Sequence, residues 1–380
     1  MEIRGAIPTA GLADGMVTVE HGMIADVRAA VPGSRTASSG VILPGLVDIH
    51  CHGGGGHSFA TFTAVEALAA AEYHASAGTT RVIASLVTAA PADLLRQVRT
   101  LAPLVADGHL LGIHLEGPFL SPARRGAHSP ELLRDPDPAL AQDLLEAGGG
   151  AIKIITLAPE RTGATAVADL LRAAGVVVAF GHTDADYPAM AAALAASAGR
   201  ALVTHLGNAM PPLHHRAAGP IAAALLAAAR DEASVELICD GVHVDEGFTR
   251  LVFAAAAAGR VVLVTDATAA AGMPDGNYQL GPLRVRVAGG VARLAQADGG
   301  GGSIAGGTSS LLRVVATAVA AGVPLADSAR AASEAPARAL GIAGSAGVIA
   351  AGYPADLVVT DDSLTAKRVM RGGYWLTAGA

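Results

Sequence analysis

The sequence predicts an α/β protein: a (β/α)8 TIM-like barrel with a small β-sandwich domain built from both termini. Three observations carry that expectation. Eight short, nearly continuous apolar runs alternate with Ala- and Leu-rich stretches of helical length, the pattern of a parallel sheet buried on both faces. Polar residues able to do chemistry stand where those runs stop. The two ends of the chain carry short strand-like pieces with turns instead.

Taken in order, residues 1–43 hold pieces such as "MVTVEHGMIADVRAA", and residues 344–380 hold "ADLVVTDDS"; together they read as the small sandwich. Residues 44–343 hold the barrel. Its runs are "VILPGLVDIH", "TTRVIASL", "LLGIHLEG", "AIKIITLAP", "VVVAFGHT", "ALVTHLGN", "VELICDGVH" and "VVLVTDAT". Stretches such as "AVEALAAAEYHASA" and "PADLLRQVRTLAPLVA" supply helices between them. Residues 272–302 read as a β-hairpin inserted after the eighth strand. An open doubly wound sheet would also alternate strands and helices, but no GxGxxG turn follows an early strand. The runs Gly53–Gly56 and Gly299–Gly302 read as loops; without a following Lys-Ser/Thr they make a weak case for a phosphate cradle.

Composition narrows the class. The chain has 380 residues, 52% hydrophobic and 16% charged, which suits a globular protein with a large core. A formal net charge of -7 argues against a nucleic-acid partner, which needs a basic field. The start "MEIRGAIPTA" lacks a basic flank followed by an apolar core, and no run reads as a membrane span. Two cysteines, Cys51 and Cys239, make no disulfide framework and fit a reducing cytoplasm. These readings lead us to expect a cytoplasmic protein without a membrane partner.

His50, Glu116, His182, His205, His243 and Asp266 each end an apolar run. In a barrel those ends converge on one face, where active sites are built. His50 and His52 stand two apart on a strand and share a face, while Cys51 points the other way. They read either as metal ligands or as polar residues before a flexible turn. Glu116 needs a cationic partner, because an unpaired buried carboxylate costs several kcal/mol; a metal is one partner, Arg124 or Arg125 the other. With His182 and His205 it makes a three-ligand set that leaves a position open for water. Imidazole with carboxylate suits Zn, Fe, Mn or Co. Asp266 is placed to move a proton, or else to cap a helix before "ATAAA". His114 reads as structural or as a support for the ligands. Lys153 comes early in its strand, too far from the loop face to bridge metals as a carboxylated lysine.

The segments "PGLVDIHCHGGGG", "HLEGPFL", "RRGAHSPE", "TLAPE", "GHTDADY", "THLGNAMPPLHHRAAGP", "CDGVHVD", "VTDATAAAG" and "GSIAGGTSSLL" resemble the amidohydrolase superfamily and, within it, the N-acetylglucosamine-6-phosphate deacetylase family. The resemblance runs from Pro44 to about Leu312, and "AGVIAAGYPADLVV" is similar to the superfamily's closing strands. It implies hydrolysis of the acetamido group of an amino-sugar phosphate, in amino-sugar catabolism and cell-wall recycling, by a homodimer. It implies that Glu116, His182 and His205 hold a catalytic divalent metal. Asp266 would accept and donate the proton, and His128 would polarise the amide carbonyl. It matches Ala127, His128, Asn208, Ala209, Arg216, His243, Ile304, Ala305 and Gly306 to substrate binding, with Arg216 toward the phosphate. His214 and His215 precede Arg216 as loop residues. Family members differ at the first motif; with both histidines present, a second metal on His50, His52, Glu116 and Asp266 is allowed. One or two metals per subunit are therefore expected, zinc first, with Fe, Mn, Co or Cd as alternatives. The resemblance leaves open other N-acetyl hexosamine 6-phosphates. A related amidohydrolase acting on an N-acyl amino acid or cyclic amide is the alternative. A metal-free binding scaffold is disfavoured, because every ligand position is filled.

Overall fold

The computed structural model describes residues 1–31, 38–295 and 301–376. Eight parallel strands form one sheet in which each pairs with its sequence neighbours. They are β1 (Leu46–Cys51), β2 (Thr79–Val87), β3 (Gly112–Glu116), β4 (Ile152–Leu157), β5 (Val177–Phe180), β6 (Ala201–Val203), β7 (Ala233–Leu237) and β8 (Val261–Leu263). The chain just past β8 closes the cylinder: Asp266 N–H donates to the His50 carbonyl at 2.9 Å, and His52 N–H to the Ala267 carbonyl at 2.7 Å. This is the expected barrel, with the catalytic face at the strands' C-terminal ends.

The longer helices are α1 (Ala64–Ser76), α2 (Pro91–Ala106), α3 (Pro138–Gly148), α4 (Ala164–Ala173), α5 (Tyr187–Ala195), α6 (Gly219–Ala229), α7 (Glu246–Ala255) and α8 (Leu311–Ala320). Side-chain caps start four of them. Asp137, Asp186, Asp245 and Ser310 accept from the backbone amides of Ala139, Ala189, Phe248 and Arg313, satisfying donors a helix leaves open. Inside the barrel, an apolar cluster that includes Ile83, Ile154, Val177, Leu202, Val262 and Val264 packs with Ala335 and Ala337 of the short helix Glu334–Ala339. Above it, the inward positions turn polar.

The terminal pieces form one seven-stranded sheet rather than two separate layers. Chain at both of its edges hydrogen-bonds to the segment before Leu357: Ile24 N–H donates to the Tyr353 carbonyl and Gly373 N–H to that of Ala355. The curled sheet wraps its own core of Ile7, Val17, Ile24, Ile42 and Leu357. The insertion is larger than the expected hairpin: Gly276–Leu280, Leu283–Ala288, Val291–Ala295 and Gly301–Ile304 make a four-stranded antiparallel sheet. The two glycine runs are not simply loops. Gly53–Gly54 pairs with His57–Ser58, and Gly301 and Gly302 belong to a strand; Gly299 and Gly300 lie outside the described residues. Among the described residues, no helix is long and apolar enough to cross a membrane.

Candidate metal-dependent active site

At the C-terminal mouth of the barrel lies a cavity of about 340 Å³. Glu116 at the end of β3 is its hub. Glu116 Oε1 lies 3.0 Å from His182 Nε2 and 2.9 Å from His205 Nε2, and those two nitrogens are 3.1 Å apart. Glu116 Oε2 lies 3.2 Å from His52 Nε2 and 3.4 Å from His128 Nε2. Asp266 Oδ1 lies 3.2 Å from His52 Nε2 and 3.5 Å from His50 Nε2. His50 and His52 face each other through their Nε2 atoms at 3.2 Å.

Such a set of acceptors is repulsive unless a cation sits among them. Three of the four outer ring nitrogens are already committed, while His205 Nδ1 is buried without a partner. His182 Nδ1–H donates to the Arg124 carbonyl at 2.8 Å, His52 Nδ1–H to the Ser85 carbonyl at 3.2 Å, and His50 Nδ1–H to Glu236 at 2.9 Å. That leaves the Nε2 lone pairs turned inward, as metal-ligating histidines require. Charge balance agrees. Burial opposes ionisation throughout, yet Glu236, Glu116 and Asp266 hold His50 well above the usual imidazole pKa, and Asp266 and Glu116 raise His52 to about 9. Against the same burial, neighbouring histidines hold Glu116 and Asp266 well below the usual carboxylate range. The pocket calls for positive charge, and the donor set fits a divalent metal.

Other groups divide between chemistry and support. Burial lowers the His128 pKa to about 4, so the ring is neutral at neutral pH. His243 Nδ1 bonds Asp240 Oδ2 at 2.8 Å. His114 uses both nitrogens, on Ser85 Oγ at 2.9 Å and Thr156 Oγ1 at 2.8 Å, and burial pushes its pKa well down; it is a neutral structural group. Lys153 Nζ bonds the Gly150 carbonyl at 2.8 Å on an exposed side chain, away from the ligands. Arg124 pairs with Asp184 rather than Glu116. Asp266 caps no helix: Ala267 behind it bridges to Cys51 and Gly307. Cys51 points away from the site, its Sγ 3.1 Å from His74 Nε2.

Of the expected site residues, His52, Glu116, Ala127, His128, His182, His205, Asn208, Ala209, His243, Asp266, Ile304 and Gly306 line the cavity. His50 lies fully buried behind His52, and Ala305 is buried. Arg216 is exposed on the segment after β6, outside the cavity lining. Three groups went unpredicted. Thr88 Oγ1 sits 2.9 Å from His128 Nδ1. Asp48 bonds Thr265 Oγ1 at 2.6 Å and receives the His50 amide at 3.3 Å. Glu236 holds His50. Arg124 lines the cavity. Glu236 alone left a readable sign, a lone carboxylate inside the apolar "VELIC".

Comparison with known proteins agrees with this geometry. Residues 41–376 match the model of the amidohydrolase family. The chain is 34% identical to N-acetylglucosamine-6-phosphate deacetylase of Bacillus subtilis (strain 168), covering 94% of this chain and 92% of that protein. It is 33% identical to N-acetylgalactosamine-6-phosphate deacetylase of Escherichia coli O157:H7, over 94% and 93%. The crystal structure of N-acetyl-D-glucosamine-6-phosphate deacetylase from Mycobacterium smegmatis superposes with a TM-score of 0.92 at 42% identity, covering 99% of this chain and 100% of that one.

Proposed function

This chain belongs to the amidohydrolase family, and from that premise we propose that it hydrolyses the acetamido group of N-acetylglucosamine 6-phosphate, releasing acetate and glucosamine 6-phosphate. The observation that carries the reading is the convergence of Glu116 with His182 and His205, with Asp266 and His128 on the same cavity. Relatives that carry this activity in their names align over nearly the whole chain.

Glu116, His182 and His205 would hold a divalent cation, zinc first among the candidates, and His50, His52, Glu116 and Asp266 a second. A cation there supplies Lewis acidity toward the amide carbonyl and the attacking water. Asp266 takes the proton of that water and returns it to the departing amine; neighbouring histidines keep its carboxylate ionised beforehand. His128, neutral and buried beside Glu116, donates from Nε2–H to the carbonyl oxygen as negative charge develops there. The backbone at Ala127, Ala209 and Ile304–Gly306, with Asn208, holds the sugar, and His243 and Arg216 the phosphate. The enzyme works as a cytoplasmic homodimer, for which the exposed segment around Leu213 and Arg216 is available.

Metal-loaded protein should release acetate from N-acetylglucosamine 6-phosphate, and Asp266→Asn should abolish turnover while the metal stays bound. No acetate from protein with confirmed metal overturns the reading. A panel with the galactosamine and mannosamine epimers, and with N-acetylglucosamine lacking phosphate, fixes which hydroxyl configuration is preferred and whether phosphate matters.

A further inference from the structure

We infer that Glu236 is a positioning residue that couples the two halves of the metal centre and decides whether the half containing His50 and His52 fills. The inference rests on the deacetylase reading for its activity readout, but not for its metal readout.

Glu236 sits on β7, is fully buried, and is no candidate ligand itself. One carboxylate oxygen serves both halves. Oε2 accepts from His50 Nδ1–H at 2.9 Å and from the backbone N–H of His205 at 3.1 Å. Oε1 is buried with no hydrogen-bond partner. A carboxylate buried this way is costly unless its charge is used, and the imidazole of His50 is what uses it.

Two consequences follow for the ligands. The bond to Nδ1 fixes the tautomer of His50, so that Nε2 faces His52 Nε2 at 3.2 Å and Glu116 Oε1 and Asp266 Oδ1 at 3.5 Å each. Loss of that acceptor frees the ring to place a proton on Nε2, where it blocks ligation. The bond to the His205 amide holds a residue with positive φ, +29°, an uncommon conformation for a residue other than glycine. The other half, Glu116 with His182, keeps contacts that do not pass through Glu236.

The test compares the full-length wild type with Glu236→Gln and Glu236→Leu. Each is stripped of metal, shown folded by circular dichroism and gel filtration, and titrated with Zn²⁺ and separately with Co²⁺, reading cations bound per folded subunit and the Co²⁺ absorption spectrum. The amide oxygen of Gln can occupy the place of Oε2 without its charge. Glu236→Gln should therefore bind the second cation roughly 10- to 100-fold more weakly than wild type, the usual cost of altering a ligand's outer partner. Glu236→Leu should bind one cation. A residue needed only for folding would lower the melting temperature and leave the titration of the folded protein unchanged. The proposal is overturned if either folded variant takes up two cations with wild-type affinity, or if wild type takes up only one. If Glu236→Leu does not fold, Glu236→Gln decides alone. Acetate release by wild type is measured in parallel. Its absence counts against the deacetylase reading and leaves the cation titration to judge Glu236.

Discussion

Replacing Thr88 with valine tests the role proposed for His128 without replacing a metal ligand or a substrate-binding residue. Thr88 directly follows β2, is 2% exposed, and meets His128 Nδ1 twice, through Oγ1 at 2.9 Å and through its amide at 3.4 Å. The amide can only donate, so it holds Nδ1 as the acceptor and leaves the single proton of a neutral ring on Nε2, facing Glu116 and the cavity. The hydroxyl has one proton for two acceptors, His128 Nδ1 at 2.9 Å and the Glu116 carbonyl at 3.2 Å, and the shorter contact takes it. Valine keeps the shape and removes the hydroxyl alone. A hydrogen bond of this kind contributes about 1 kcal/mol net, which is about fivefold in rate if the whole of it orients His128 in the transition state. Removing the donor itself, as in His128→Ala, should cost about 10²- to 10³-fold. Steady-state kinetics on N-acetylglucosamine 6-phosphate should therefore show Thr88→Val with kcat down about fivefold and KM little changed. An unchanged kcat, or a loss as deep as that of His128→Ala, refutes the argument.

Two further outcomes are expected. Gly306 has φ +71°, and a Cβ there would come within 2.7 Å of the Asp266 carbonyl oxygen and of Thr268 Cγ2. Gly306→Ala should cost at least about 1 kcal/mol of stability for the left-handed backbone alone and lower turnover by shifting Asp266; unchanged melting and unchanged kcat would refute that coupling. At His243 burial disfavours the charge, but the bond to Asp240 outweighs it and raises the pKa, while Asp240 is correspondingly lowered. A raised histidine keeps its charge to higher pH and loses it as pH passes the folded value. Phosphate affinity that depends on imidazolium is thus present at low pH and fades upward. Asp240→Asn should move the rise in KM to lower pH, and KM–pH profiles that coincide with wild type would remove the pair from phosphate recognition.

Much of the frame was legible because each signal was periodic or terminal. Continuous apolar runs gave eight buried strands, and alternation along "VDIHCH" put His50 and His52 on one face with Cys51 on the other. Legibility failed where contact is made across the barrel. Thr88 and Asp48 look ordinary in sequence; pairing of β2 with β3 brings Thr88 to His128 across 40 residues, and closure of the cylinder brings Asp48 to Thr265 across 217. The insertion was under-read because each of its strands is short and half exposed, with the two-residue alternation of an open antiparallel sheet. Arg216 is exposed on the segment after β6, a placement its motif alone does not give.

Backbone conformation is the layer that sequence hides most completely, and it accounts for how these residues face inward. His182, His205, Ala209 and Asp266 all line the cavity, and all have positive φ without being glycine. Each such residue costs about 1–3 kcal/mol and persists only where its surroundings over-determine it. The surroundings do so here. Ser121 N–H donates to the His182 carbonyl at 2.9 Å, while Glu160 accepts from Thr183 Oγ1 at 2.5 Å and from the Asp184 amide at 2.7 Å. His205 is held by Glu236 through its N–H and by the Asn208 amide through its carbonyl. Asp266 gives its N–H to the His50 carbonyl and takes the Gly307 amide at 2.7 Å. The left-handed step lets each strand turn away at the mouth while its last polar side chain still points to the axis. The ligands are therefore fixed less by the strands that carry them than by the elements that meet just beyond, which is why substitutions at Glu236 or Thr88 should reach the chemistry without touching the substrate.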